Sequence, residues 1–178
     1  MQSRRRADHL NGVVNGLRRI TQALRLSSSV VQDTLGITGA QLFVLQQLAE
    51  CPGASLRQLA ELTLTDQSSV SVVVSRLVEA GCVARRIAAA DARRTELTLT
   101  DRGRALLRRA PGLAQARLVA SLRGVPAVQL RVTANVLDRA ARAVSPARAP
   151  APMFFEPPAG PRRAGRRSRP KSGRGQTR

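Results

Sequence analysis

Aromatic side chains are almost missing from this chain of 178 residues, which has no tryptophan, no tyrosine and only three phenylalanines, Phe43, Phe154 and Phe155. Modules that grip unpaired bases stack them on aromatic rings, so the scarcity argues against sheet-platform and small-barrel binders of single strands. Histidine and cysteine are just as scarce. His9, Cys51 and Cys82 cannot fill a zinc tetrad, and neither a metal nor any other cofactor is expected. So few thiols fit a cytoplasmic setting. The single lysine, Lys171, follows Pro170, where a phosphate-binding loop requires glycine. No apolar run reaches the roughly 18 residues that span a bilayer. The segment after Arg4-Arg5-Arg6 is amphipathic, unlike the core of a signal peptide. Negative charge is the last shortage: 11 acidic residues stand against 30 basic ones, a formal net charge of +19. That excess points to a polyanionic partner, nucleic acid ahead of a membrane surface.

What the chain does have is enough apolar material, 43%, for one ordinary core. The composition changes at Ser145, beyond which lie seven of the ten prolines and runs such as Arg166-Arg167-Ser168-Arg169. Residues 145–178 are therefore expected to form a disordered basic tail. The tail carries nine basic residues and one acidic, a net +8, leaving +11 for residues 1–144. It reads either as a nonspecific clamp on DNA held by counterion release or as a solvated extension. Met153-Phe154-Phe155 is an apolar island within it.

Helical periodicity dominates residues 1–144. Leu10, Val13, Val14, Leu17, Ile20, Leu24 and Val31 mark a long first helix ending at Gly36. Thr38 with Gln41, and Ser55 with Gln58, have the spacing of capping boxes that open a second and a third helix. Thr65 to Glu79 is rich in β-branched residues, which favour strands, yet Val70, Val73, Val74, Leu77 and Val78 form a helical stripe closed by Gly81. A fourth helix is expected there. Cys82–Ile87 and Thr95–Leu99 alternate like strands around a seven-residue loop carrying Arg93 and Arg94, a hairpin with a basic tip. Thr100 caps a further helix that Pro111-Gly112 should interrupt, and a last one runs from Pro126 to about Val144, with Val128, Val132, Val136 and Leu137 on its apolar side.

Helix, turn, helix and an arginine-rich hairpin follow one another in the order of a winged helix-turn-helix, whose second helix enters the major groove while the hairpin reaches the adjacent backbone or minor groove. Gln67, Ser68, Ser69 and Ser71 open the expected recognition helix with short polar side chains, and Arg76 lies further along it. Arg86, Asp91, Arg93 and Arg94 belong to the wing.

The chain resembles the MarR family of transcriptional regulators over residues 10–144. Leu59-Ala60, Thr65 through Ser71, and Arg76 through Gly81 are similar to the family's recognition-helix pattern. Asp91-Ala92-Arg93 is similar to its wing, and Leu97 through Gly103 to its approach to the fifth helix. The resemblance implies a mainly α fold with a small β-hairpin wing. An N-terminal dimerisation helix (1–36), a winged helix-turn-helix DNA-binding domain (37–100) and C-terminal dimerisation helices (101–144) would be followed by the tail. It further implies a homodimer on a pseudo-palindromic operator, with half-sites about 34–36 Å apart. Such a protein usually represses, and is often released by a small anionic or phenolic effector or by thiol oxidation. Arg93 would then enter the minor groove, oriented by Asp91, while Ser68, Ser69 and Ser71 face the major groove beside Gln67 and Arg76 reaches a phosphate. The chain departs from the family's usual pattern by placing Leu64 where many relatives have glycine in the turn, and by placing Pro111-Gly112 inside the expected long helix.

The same residues admit plainer readings, as solvated loop charges or a polar helix face. Cys82 stands where an apolar residue is usual and is expected in the core, whereas Cys51 has no basic neighbour in sequence to activate it. Arg18, Arg19 and Arg25 suit an anionic effector or a solvated face equally well. The expectation is a non-catalytic, sequence-specific binder of double-stranded DNA. The alternative is a nonspecific, DNA-compacting or RNA-binding protein driven by its tail.

Overall fold

The computed structural model describes residues 2–88, 91–145 and 153–156, with side chains for all of these but Gln2, Ala88 and residues 91–94. Four helices come first: α1 (Gln2–Leu35), α2 (Gly39–Glu50), α3 (Leu56–Thr63) and α4 (Gln67–Glu79). An antiparallel hairpin of β1 (Val83–Ala88) and β2 (Asp91–Leu99) follows, and then α5 (Asp101–Arg108), α6 (Ala114–Arg123) and α7 (Ala127–Val144). This is the mainly helical architecture with a hairpin wing that the sequence implies.

Both capping boxes are formed. The Thr38 N–H donates to Gln41 Oε1 at 2.9 Å while the Gln41 N–H donates to Thr38 Oγ1 at 3.1 Å; Ser55 and Gln58 repeat the exchange at 2.9 and 3.3 Å. In α4 periodicity prevails over β propensity, because Val70, Val73, Val74 and Leu77 are all fully buried. Each such burial is worth about 1.5–3 kcal/mol, more than the few tenths by which a β-branched residue disfavours helix. Those four residues meet Phe43, Leu45 and Leu48 of α2, Leu59 of α3 and Leu97 of β2 in a single core.

Two glycines position the wing and the helix that follows it. Gly81 adopts φ 68°, letting the chain turn out of α4 while the Cys82 N–H donates to the Leu77 carbonyl at 2.8 Å. At Gly103 a Cβ would lie 2.3 Å from the Cys82 carbonyl oxygen, so only glycine lets α5 pass this close to the start of β1. Thr100 caps α5 and its hydroxyl also donates to the Gly81 carbonyl at 2.7 Å. Cys82 is buried, as expected, and Cys51 is exposed.

Pro111-Gly112 interrupts the helix as expected, separating α5 from α6. α5 packs on α2 and β2, and Leu113 reaches the main core. Only the C-terminal part of α1 is covered: Leu24 and Val31 are buried and Ser27 Oγ accepts from the Ala114 N–H at 3.0 Å, whereas Leu10, Val13 and Ile20 are exposed. No residue of α7 is buried.

The hairpin departs from expectation at its tip. Its strands continue to Ala88 and resume at Asp91, so Asp91, Arg93 and Arg94 belong to β2 and not to a seven-residue loop. Pairing persists through a register shift after Ile87: Ile87 stands opposite Thr95 but Ala88 opposite Asp91, which leaves three additional residues, 92–94, on the β2 side. Ala89 and Ala90 lie outside the described residues, as do 146–152 and 157–178 of the expected disordered tail. Residues 153–156 of that tail are described, and the first and last of them are buried: Met153 joins the main core and Glu156 is covered beside it.

Candidate nucleic-acid interface

The candidate surface begins at the turn between α3 and α4. Leu64 adopts a left-handed conformation, φ 54° and ψ 42°, where relatives often use glycine. The turn is held by the Thr65 N–H donating to the Ala60 carbonyl at 3.0 Å and the Thr63 hydroxyl to the Leu59 carbonyl at 2.7 Å. With Val70 and the other apolar residues of α4 facing the core, Gln67 and Ser68 are left exposed and Ser69 and Ser71 half-buried.

Asp66, which the sequence reading did not single out, organises this first turn. Its side chain caps α4 by accepting from the Ser69 N–H at 2.9 Å. It also accepts from the Ser69 hydroxyl at 2.6 Å and from the Ser68 hydroxyl. The Ser68 hydroxyl, then the Ser69 hydroxyl and N–H, lower the Asp66 pKa to about 2, because each bond favours the charged form. The available signal was local: aspartate directly before a helical stripe is a preferred N-cap. With its proton committed to Asp66, the Ser68 hydroxyl offers its lone pairs outward and can accept from a base amino group, the donor that adenine and cytosine present in the major groove.

Arg76 stands elsewhere than expected. Its guanidinium pairs with Glu156 of the C-terminal segment, so it is turned to a protein carboxylate instead of outward to a phosphate. Glu156 also accepts from the Thr38 hydroxyl at 2.5 Å, and only 2% of its side chain is exposed.

The wing is tied to this helix at its base, where Arg85 Nη2 donates to Ser75 Oγ at 3.1 Å. It is tied to the α2–α3 connection as well, through the Leu97 N–H and carbonyl bonded to Ala54 and Gly53 at 3.1 and 3.0 Å. Arg86 is exposed and pairs in register with Glu96. The side chains of Asp91, Arg93 and Arg94 lie outside the described residues. Of the candidate effector residues on α1, Arg18 and Arg25 line a groove of about 560 Å³ with Val14 and Leu17, and Arg19 does not. A second cavity, about 510 Å³, lies between α2 and α5 against Leu48, Leu99, Leu107 and Arg108. No helix among the described residues is long and apolar enough to cross a membrane.

The MarR family model matches residues 35–94. The transcriptional repressor Rv2887 of Mycobacterium tuberculosis is 32% identical over 123 residues, which are 69% of this chain and 88% of the relative. The chain belongs to the MarR family. Among solved structures, the MarR-family chain resembles BldR of Sulfolobus solfataricus in fold, with TM-score 0.51 and 20% identity over 75% of this chain and 97% of that one. PcaV of Streptomyces coelicolor, solved with its natural ligand, is 32% identical over 72% of this chain and 90% of its own, with TM-score 0.46. Rv2887 has been solved in complex with p-aminosalicylic acid; that chain is 31% identical over 69% of this one and 93% of its own, with TM-score 0.44. A DNA-binding transcriptional regulator of the MarR family is the function these findings establish for the chain.

Proposed function

We propose that this MarR-family protein is a cytoplasmic, non-catalytic homodimer that binds a pseudo-palindromic operator and represses transcription until a small anionic or phenolic effector releases it. The observation that carries the reading is the first turn of α4. Four short or flexible polar side chains, Gln67, Ser68, Ser69 and Ser71, stand there beside a hairpin bearing Arg86, Arg93 and Arg94. Serine and glutamine suit base edges and phosphates, and an arginine suits a narrow, electronegative minor groove. Repression is supported by the likeness to a repressor over most of that protein's length. The effector is supported by the ligand on that same relative and by the arginine-lined groove on α1.

The test is selection of bound sequences from genomic fragments at near-physiological salt. It uses the whole chain beside a full-length variant whose eight basic residues beyond Glu156 are changed to glutamine. Recovery of one inverted repeat by both supports a site-specific dimer, with the variant showing the smaller salt slope. Unenriched DNA from the first and nothing from the second would overturn the reading in favour of tail-driven, nonspecific binding. Within the favoured reading, Arg93→Ala weakens binding and relaxes the preference for a narrow minor groove at the operator flanks. Unchanged affinity and preference would remove Arg93 from the interface.

A further inference from the structure

The C-terminal segment from Ser145 onward contains nine basic residues and a single acidic one, Glu156, and that lone carboxylate is the group that docks on α4. The docked piece is short. Met153 is buried in the main core, the Glu156 N–H donates back to the Met153 carbonyl at 3.0 Å to close a turn, and Phe155 takes φ 58° within it. Phe154 and Phe155 stay 50% and 40% exposed, so among the described residues the segment is held chiefly by one thioether side chain and one carboxylate. The carboxylate lies where two favourable fields meet. It accepts from Thr38, the N-cap of α2, at the positive end of that helix, and it pairs with Arg76 in the last turn of α4. A nearly fully buried carboxylate is tolerated only with such partners. Its partner is a cation of the helix proposed to read DNA.

We propose that Met153–Glu156 is a cis-acting latch on the surface between the α2 N-cap and the last turn of α4: docked, it spends Arg76 on Glu156, and released, it returns Arg76 to the positive surface that meets DNA. The latch opposes DNA binding through one charge, because a phosphate and Glu156 compete for the same guanidinium. The inference rests on the DNA-binding reading above.

The test measures affinity for the recovered operator against salt, with the full-length chain. Glu156→Gln keeps the shape of the side chain and removes its charge. It should tighten binding several-fold at low salt and steepen the slope of log K against log salt by about 0.9, the increment for one added phosphate contact. In an Arg76→Gln background the same substitution should change neither quantity. Met153→Ala loosens docking without altering charge, and it should steepen the slope in the wild-type background alone. Unchanged slopes for both Glu156→Gln and Met153→Ala overturn the latch. An effect of Glu156→Gln equal in the two backgrounds also overturns it, since that reports net charge and not release of Arg76. A wild-type chain that binds every duplex equally overturns the operator reading instead, and the latch remains measurable on that nonspecific binding.

Discussion

The apolar stripe of α4 and the apolar stripes of α1 and α7 are written with the same helical spacing, and the structure treats them in opposite ways. Val70, Val73, Val74 and Leu77 are each fully buried, while Val128, Val132 and Val136 of α7 are 64%, 57% and 52% exposed. The N-terminal two-thirds of α1 resembles α7, with Leu10, Val13 and Ile20 uncovered. Periodicity therefore reports that a helix has a face to bury, and it does not report where the cover comes from. For α4 the cover is supplied by α2, α3 and β2 of the same chain. For α7 and the N-terminal two-thirds of α1 nothing among the described residues supplies it along most of the stripe, and contiguous apolar faces of this kind mark association surfaces. The MarR-family homodimer proposed here is what would cover them.

The comparison breaks most sharply under charge. Leu77→Asp places a carboxyl without a partner at a fully buried site, a cost of several kcal/mol that, with several more of lost packing, is comparable to the whole stability of a small domain, about 5–15 kcal/mol. The variant should not fold, as read by loss of the cooperative urea transition. Val132→Asp is expected to leave helix content and the urea transition of the winged portion in place while abolishing the dimer in sedimentation. A Val132→Asp protein that remains dimeric would move the interface off this face of α7.

The same contrast marks what was legible in the sequence. The capping boxes at Thr38 and Ser55, the stripe in α4, the glycine at 81 and the break at Pro111 are all local patterns, and local hydrogen bonding and packing enforce them. Asp66 was legible in principle, being one residue ahead of α4, but the segment reads from Thr65 as a mass of polar and β-branched residues in which the cap is easily passed over. Glu156 was not legible. Its partner Thr38 lies 118 residues away, and no periodicity or spacing links a carboxylate in a proline-rich basic segment to an N-cap at the other end of the chain. The full length of the wing strands is not legible either, since a register shift between Ile87 and Ala88 leaves no compositional trace.

A smaller effect is expected at the α4 N-cap, where local order is maintained by charge instead of burial. Asp66 has its pKa lowered to about 2 from 3.8, by the Ser68 hydroxyl first and then by Ser69. A carboxyl whose folded pKa is depressed stabilises the fold fully above the unfolded value, and that contribution is lost as the pH falls from about 4 towards 2. Asp66→Ala should therefore cost about 0.5–2 kcal/mol at pH 6, and the gap to wild type in urea midpoints should narrow at pH 3. An equal gap at both pH values would mean that the side chain contributes through something other than its charged form.

The smallest expected change concerns the turn that leads into the same helix. Leu64 occupies the left-handed region and is 67% exposed, so it bears the strain that a Cβ meets there, about 1–2 kcal/mol, and recovers little by burial. Glycine removes that strain and gives back about 0.5–1 kcal/mol of backbone entropy to the unfolded chain. Leu64→Gly is accordingly expected to stabilise the protein by up to about 1 kcal/mol, seen as a higher urea midpoint at unchanged slope. Measuring operator affinity on the same variant sharpens the comparison between buried and uncovered apolar residues. A variant that is more stable but binds DNA less tightly would show that the leucine is retained for a contact made only in the complex, as the exposed valines of α7 are proposed to be retained for the dimer. A variant that is more stable and binds equally well leaves Leu64 as strain without a function in DNA binding.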